Sequence, residues 1–233
     1  MGKVEREERL VALAEAATAV FGRVGYRRAR TADVAKEAGM SSGSLFNYVE
    51  SKEALFHLVF LHGFGLLAGA VLELPLAAPA DGETARLIEE NLRGIPTPNL
   101  RAAMTRDRPV DVDLELRGII EERYAIQERL WPILAVVERC AVDLPTIEDF
   151  YFRRTRVGYF GRLTKYLERR AATGHLRKVP DPAVAARLVS ESISWFAWHR
   201  HEGREGRAHL YDDDVTRETV IELLCAALIE PSS

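Results

Sequence analysis

The chain has 233 residues, 47% of them hydrophobic and 29% charged, with a formal net charge of −3. That suffices for one large domain or two modest ones around a real core, and gives no whole-chain sign of a polyanionic partner. Cys140 and Cys225 each sit inside an apolar helical pattern and read as buried reduced thiols, with a redox-sensing pair as the lesser alternative.

Period-3.6 patterns dominate and no β-alternating run stands out, so an all-α chain is expected. The N-terminus, MGKVEREERLVALAEAA, is charged and then amphipathic. It lacks the continuous apolar core and cleavage site of a secretory signal, which points to a cytoplasmic protein. A first helix is expected over residues 6–21, with Leu10, Leu13, Ala14, Ala17, Val20 and Phe21 on one stripe. The stretch GRVGYRR ends it, Gly22 or Gly25 taking the left-handed conformation of a helix C-terminus. Arg23, Arg27, Arg28 and Arg30 then fall close together and form a phosphate-facing candidate cluster.

The next segment, TADVAKEAGMSSGSLFNYVESKEAL, encodes two short helices and the start of a third. Thr31 is expected as the N-cap of the first, with Asp33 near its positive end and Val34, Ala35 and Ala38 inward. Gly39 makes the turn, and Ser41 caps a second helix whose Leu45 and Val49 face inward. Helices this short are not stable alone and must brace one another, as in a helix-turn-helix. The second helix then presents Ser42, Gly43, Ser44, Phe46, Asn47 and Tyr48 outward. Such a face suits a duplex major groove: Asn47 for a base edge, Ser42 and Ser44 for bases or phosphates, Tyr48 and Lys52 for phosphates.

A further helix starts at Ser51 and runs into LVFLHGFGLLAGAVLEL, residues 58–74. That run is shorter than a bilayer span and carries His62 and Glu73, so burial between helices of one protein is expected. Pro75, Pro79 and APADGE form a loop before a helix over 83–93, and the Pro-rich stretch RGIPTPNLRAAMTRDRPVDVD carries no clear pattern. Helices follow over 113–141, kinked or broken at Pro132, and over 146–173, closed at Gly174. Asp181 caps the next, with Pro182 at its first position. The last two span 182–201 and 214–229, separated by HEGREGRAHLYDD.

The stretch RLVALAEAATAVFGRVGYRRARTADVAKEAGMSSGSLFNYVESKEAL resembles the DNA-binding domain of the TetR family of transcriptional regulators. It combines a Phe-Gly-x-x-Gly-Tyr helix end, a Thr-capped helix, Ala-Gly before the turn and Ser-Lys-Glu after the recognition helix. Phe46 stands where the family usually has Tyr, and Val49 where it usually has Phe. The resemblance implies contacts to double-stranded operator DNA from Thr31, Ser42, Ser44, Asn47, Tyr48 and Lys52. With Arg30 and Ser41 these make up the expected DNA-binding set. It also implies an all-α fold: a three-helix DNA-binding domain over 1–55 and a larger helical effector-binding and dimerisation domain over 56–233. The activity implied is repression relieved by a small-molecule effector, through movement of the helix that begins at Ser51.

Two apolar faces near the C-terminus, Leu188, Ser192, Trp195 and Phe196 on one helix and Val220, Leu223, Leu224 and Ala227 on the next, suit a homodimeric four-helix interface. An apolar cavity is expected to draw on Trp131, Phe150, Arg154, Tyr159 and Trp195. Arg154 lies on an otherwise apolar row and needs an acidic partner, from the fold or from a ligand. An enzymatic reading would rest on metal binding by WHRHEGREGRAH, but His199 and His201 point to different helical faces and no HExxH spacing occurs. No enzyme, cofactor, metal site or membrane association is therefore expected. A DNA-binding regulator or architectural protein without an effector is the alternative.

Overall fold

A computed structural model describes residues 3–68, 70, 72–199 and 211–230; the side chains of 3, 4 and 154–157 are outside the description. The described residues form helices α1 (Lys3–Val24), α2 (Thr31–Glu37), α3 (Ser42–Leu45), α4 (Lys52–Gly63), α5 (Glu83–Arg93), α6 (Pro98–Thr105), α7 (Val112–Ala141), α8 (Pro145–Glu148), α9 (Arg156–Ala172), α10 (Pro182–Ala197) and α11 (Asp213–Leu228). A π-helical stretch, Asp149–Thr155, joins α8 to α9. The fold is all-α, as the sequence periodicity requires. The chain divides into two compact units: residues 1–94 with 132–153, and residues 95–131 with 154–233.

In the first unit α1 packs on α2 and α4, α2 on α3, and α4 on α5. Leu13, Ala14, Ala17, Val20 and Phe21 of α1 are buried, as the stripe predicts. The glycine that ends α1 is Gly25, at φ 82, whose N–H donates to Phe21 O at 2.9 Å. Phe56 stacks edge-on against Phe21, Tyr26 and Phe60, with centroids 4.9 to 5.1 Å away. The end of α7 joins this core through buried Ile133, Val136, Val137 and Cys140.

The apolar run after Ser51 is helical only as far as Gly63, and Gly65, at φ 74, turns the chain out of α4. Leu66 beyond it is exposed. Among the described residues no helix is long and apolar enough to cross a membrane. The chain then returns to the start of the protein. Leu76 N–H donates to Tyr48 O at 2.7 Å and Glu50 N–H donates to Leu76 O at 3.0 Å. These bonds form an isolated parallel bridge between Val49 and Leu76.

The second unit has a core of Leu100 and Ala103 from α6, Leu116, Ile119, Ile120 and Tyr124 from α7, Tyr159, Leu163, Tyr166 and Leu167 from α9, and the inner faces of α10 and α11. Arg170 is buried within it and forms a two-pronged ion pair with Glu115, at 2.7 and 3.0 Å. It also donates to the carbonyls of Ala103, Arg106 and Asp107 at the end of α6. The chain does not break at Pro132: α7 runs through it as one helix. The helix expected over 146–173 is instead α8, the π-helical stretch and α9 in succession. Asp181 caps α10 as expected, accepting from Ala183 N and Val184 N at 2.8 and 3.2 Å.

Candidate nucleic-acid interface

The two short helices are set by local capping chemistry. Thr31 is not the N-cap of α2 but its first residue; the cap position is the extended Arg30, which makes no side-chain cap bond. Val34 and Ala35 are buried, and Gly39, at φ 65, makes the left-handed turn. Ser41 Oγ accepts from Ser44 N at 3.1 Å and lies 2.8 Å from Ser44 Oγ, fixing the start of α3. Ser51 Oγ does the same for α4, accepting from Ala54 N at 3.1 Å.

Only one turn of α3 is regular; the chain from Phe46 to Tyr48 continues as turns, with Asn47 N–H on Ser44 O at 3.2 Å and Tyr48 N–H on Leu45 O at 2.9 Å. Leu45 and Val49 are buried, and Ser41, Ser42, Gly43, Phe46 and Asn47 are exposed. Ser44 is half-buried between them. Tyr48 departs from the expected outward face: it is only 6% exposed. Tyr48 stands three residues after buried Leu45, on the same face, and its N–H still bonds Leu45 O, so the helical period carries it inward.

Lys52, expected toward phosphate, is half-buried, its Nζ donating to Arg27 O at 3.3 Å and standing 4.6 Å from the centre of the Tyr26 ring. Tyr26 OH donates to Glu53 Oε1 at 2.9 Å. The bond holds the Glu53 carboxyl below the usual range, after the larger effect of its own backbone N–H. From the other side Asp143 accepts from Arg27 N at 2.8 Å, and Arg139 donates to Arg23 O at 3.3 Å. The turn between α1 and α2 is therefore clasped by the first turn of α4 and the end of α7. Of the basic cluster, Arg23 pairs with Glu37 at 3.2 Å and Arg27 lies 3.9 Å from Asp143. Arg28 and Arg30 are exposed and make no ion pair with the described residues. The arrangement can present Thr31, Ser41, Ser42 and Asn47 with two uncommitted guanidinium groups. The Asp143 and Leu76 supports have no local sequence signal, since their partners lie 116 and 28 residues away.

Elsewhere, Phe150 belongs to the first unit and is buried, while Tyr159 lies in the core of the second. Burial raises the Tyr159 hydroxyl pKa, and Arg123 lies over its ring at 4.3 Å. Trp131 is half-buried, and Trp195, expected both in a cavity and at a dimer face, is 52% exposed. The Arg154 side chain, His201, Glu202 and His209 lie outside the described residues. No metal-holding cluster occurs among the described ones.

On the outer faces of the last two helices, Leu188 and Leu223 are exposed, as are Ala227 and, missed by the sequence reading, Val184 and Val215. Ser192, Phe196 and Leu224 are half-buried. Val220 departs from the expected interface: it is buried in the core of its own unit. Cys140 and Cys225 are buried and free, and burial raises their pKa values to about 12 and about 11.

Residues 13–59 match the family profile of bacterial regulatory proteins of the tetR family. No curated protein matches the sequence. Among solved structures the chain is similar to the ketosteroid transcriptional regulator KstR2 of Mycobacterium tuberculosis, at 17% identity and a TM-score of 0.59 over 99% of this chain and 97% of that one. A transcriptional regulator from Saccharomonospora viridis, solved with choline, gives 16% identity and a TM-score of 0.54 over 98% and 100%. AibR, solved with isovaleryl coenzyme A and operator DNA, gives 17% and 0.50 over 92% and 97%. Residues 13–59 thus match the helix-turn-helix module of tetR-family regulatory proteins, and the chain as a whole shares the fold of these solved regulators.

Proposed function

We propose that the protein is a cytoplasmic homodimeric repressor that binds a two-part operator and leaves it when a small, largely apolar ligand is bound. Residues 1–55 carry the DNA contacts and residues 56–233 the effector and dimer functions, and the chain binds rather than catalyses. The observation that carries this is the exposed Ser42 and Asn47 face on a Ser41-capped helix, beside the uncommitted Arg28 and Arg30. Asn47 is suited to a bidentate contact with adenine, and Arg30, Thr31, Ser41 and Ser44 to positioning on the backbone. Lys52 acts in the contact set while also bracing the turn through Arg27 O. The exposed apolar stripe from Val184 through Leu188 to Trp195, with Leu223 and Ala227 on α11, suits pairing with a second copy. Two heads then meet successive major grooves roughly 34–36 Å apart. That a protein of this fold holds both a ligand and operator DNA is supported by AibR with isovaleryl coenzyme A and operator DNA.

Selection of bound fragments from genomic DNA tests the reading. Asn47→Ala should weaken the selected operator by about 1–3 kcal/mol per half-site and relax one base position, leaving random-sequence binding unchanged. Any compound that lowers operator affinity must itself bind the DNA-free protein more tightly by the same factor. An absence of enriched fragments, or an Asn47→Ala variant with unaltered preference, refutes the assignment.

A further inference from the structure

Among the described residues of the helix-turn-helix head, residues 3–63, Phe46 is the one large apolar side chain left exposed, at 45%. Its neighbours Leu45, Tyr48 and Val49 are buried, so the exposure belongs to Phe46 and not to a loosely packed element. It lies on the same outer stripe as Ser42, Gly43 and Asn47. Side chains on a helix lean toward the preceding turn, which for Phe46 is the turn holding Gly43. A Cβ at Gly43 would meet only Ser41 Oγ, at 4.0 Å, so the space beside the ring on that flank is open.

A phenyl ring has no donor or acceptor, and neither a phosphate nor a base heteroatom gives it a partner. In the major groove the apolar group that base edges offer is the C5-methyl of thymine. We propose that Phe46 reads a thymine methyl in each half-site, at a base pair adjoining the one contacted by Asn47, and so makes that thymine a specificity determinant. The inference rests on the operator-binding reading above and adds the chemistry of one base.

The test uses the full chain and its selected operator, with each thymine replaced in turn by deoxyuridine, which keeps every hydrogen-bonding group and lacks only the methyl. At one thymine per half-site, the replacement should weaken wild-type binding by about fourfold, the equivalent of one buried methyl group. Phe46→Ala should bind the unmodified operator more weakly and be indifferent to that same replacement. Phe46→Leu, which keeps an apolar contact, should retain the sensitivity, and so should Asn47→Ala. Because Phe46 is exposed, Ala there leaves the buried contacts of the head in place, and retained binding to random DNA reports this. A wild type indifferent to deoxyuridine at every position overturns the proposal, as does a Phe46→Ala variant that keeps the full penalty. Either result leaves operator binding standing, whereas failure to select any operator removes both readings.

Discussion

Gly63 closes α4 where a Cβ would stand 2.1 Å from Ile133 Cδ1 and 2.2 Å from its Cγ1, but at an ordinary 3.7 Å from its Cβ. Ile133 is 3% exposed, and its branched side chain has no solvent to move into. Gly63→Ala should therefore cost about 1–3 kcal/mol of overpacking, offset by at most about 1 kcal/mol of helix propensity. Ile133→Ala alone should cost about 2–5 kcal/mol, because it leaves a cavity. In that background the new methyl at position 63 enters the vacated space. The same substitution then changes sign, from destabilising to stabilising, with a coupling of about 1–3 kcal/mol. Urea unfolding followed by far-ultraviolet circular dichroism measures the cycle. Additive effects, or a Gly63→Ala that stabilises the wild type, would refute the packing argument.

His57 is buried, bonds through Nδ1 to Thr84 Oγ1 at 2.9 Å, and has its pKa lowered by that burial. The unfolded chain then binds more protons than the folded one just below the ordinary histidine value of about 6.5. Its stability contribution is full above that pH and is lost as pH falls through the folded value; the thermal midpoint should drop between pH 7.5 and 5.5 more in the wild type than in His57→Asn. In the second unit, Glu115→Ala leaves the buried Arg170 guanidinium with carbonyl partners only, at a cost of about 3–5 kcal/mol. Tryptophan fluorescence in urea reads it, Glu115→Gln should lose less, and a loss below about 1 kcal/mol would show the pair to be dispensable.

What the sequence reveals of this molecule is what acts over a single turn. Ser41, Ser51 and Asp181 are recognisable caps because a short hydroxyl or carboxylate has its partner two or three residues on. Thr31 carries the same chemistry and sits one position inside its helix, a difference that local pattern does not resolve. Tyr48 lies inward, as its place three residues after Leu45 requires, although its hydroxyl suggests an outward role; Val220 also lies inward, and an apolar residue on a two-faced helix gives no sign of which face is its own core. Pro132 shows that an unfavourable residue does not by itself end a 30-residue helix. The supports of the binding face were the least legible. Asp143, Arg139 and Leu76 meet it through backbone atoms, and a backbone N–H or carbonyl leaves no residue type behind to mark the contact.

The bridge between Val49 and Leu76 bears on how such a head can be borrowed. A fragment cut after Leu55 would contain every side chain proposed for the groove, yet Tyr48 O and Glu50 N would lose Leu76, and Arg27 N would lose Asp143. Grafting the segment around α3 onto another helix-turn-helix therefore transfers its exposed side chains without the backbone ties that aim them. A chimera that keeps its aim needs junctions beyond Leu76, together with a recipient that supplies an acceptor where Asp143 stands.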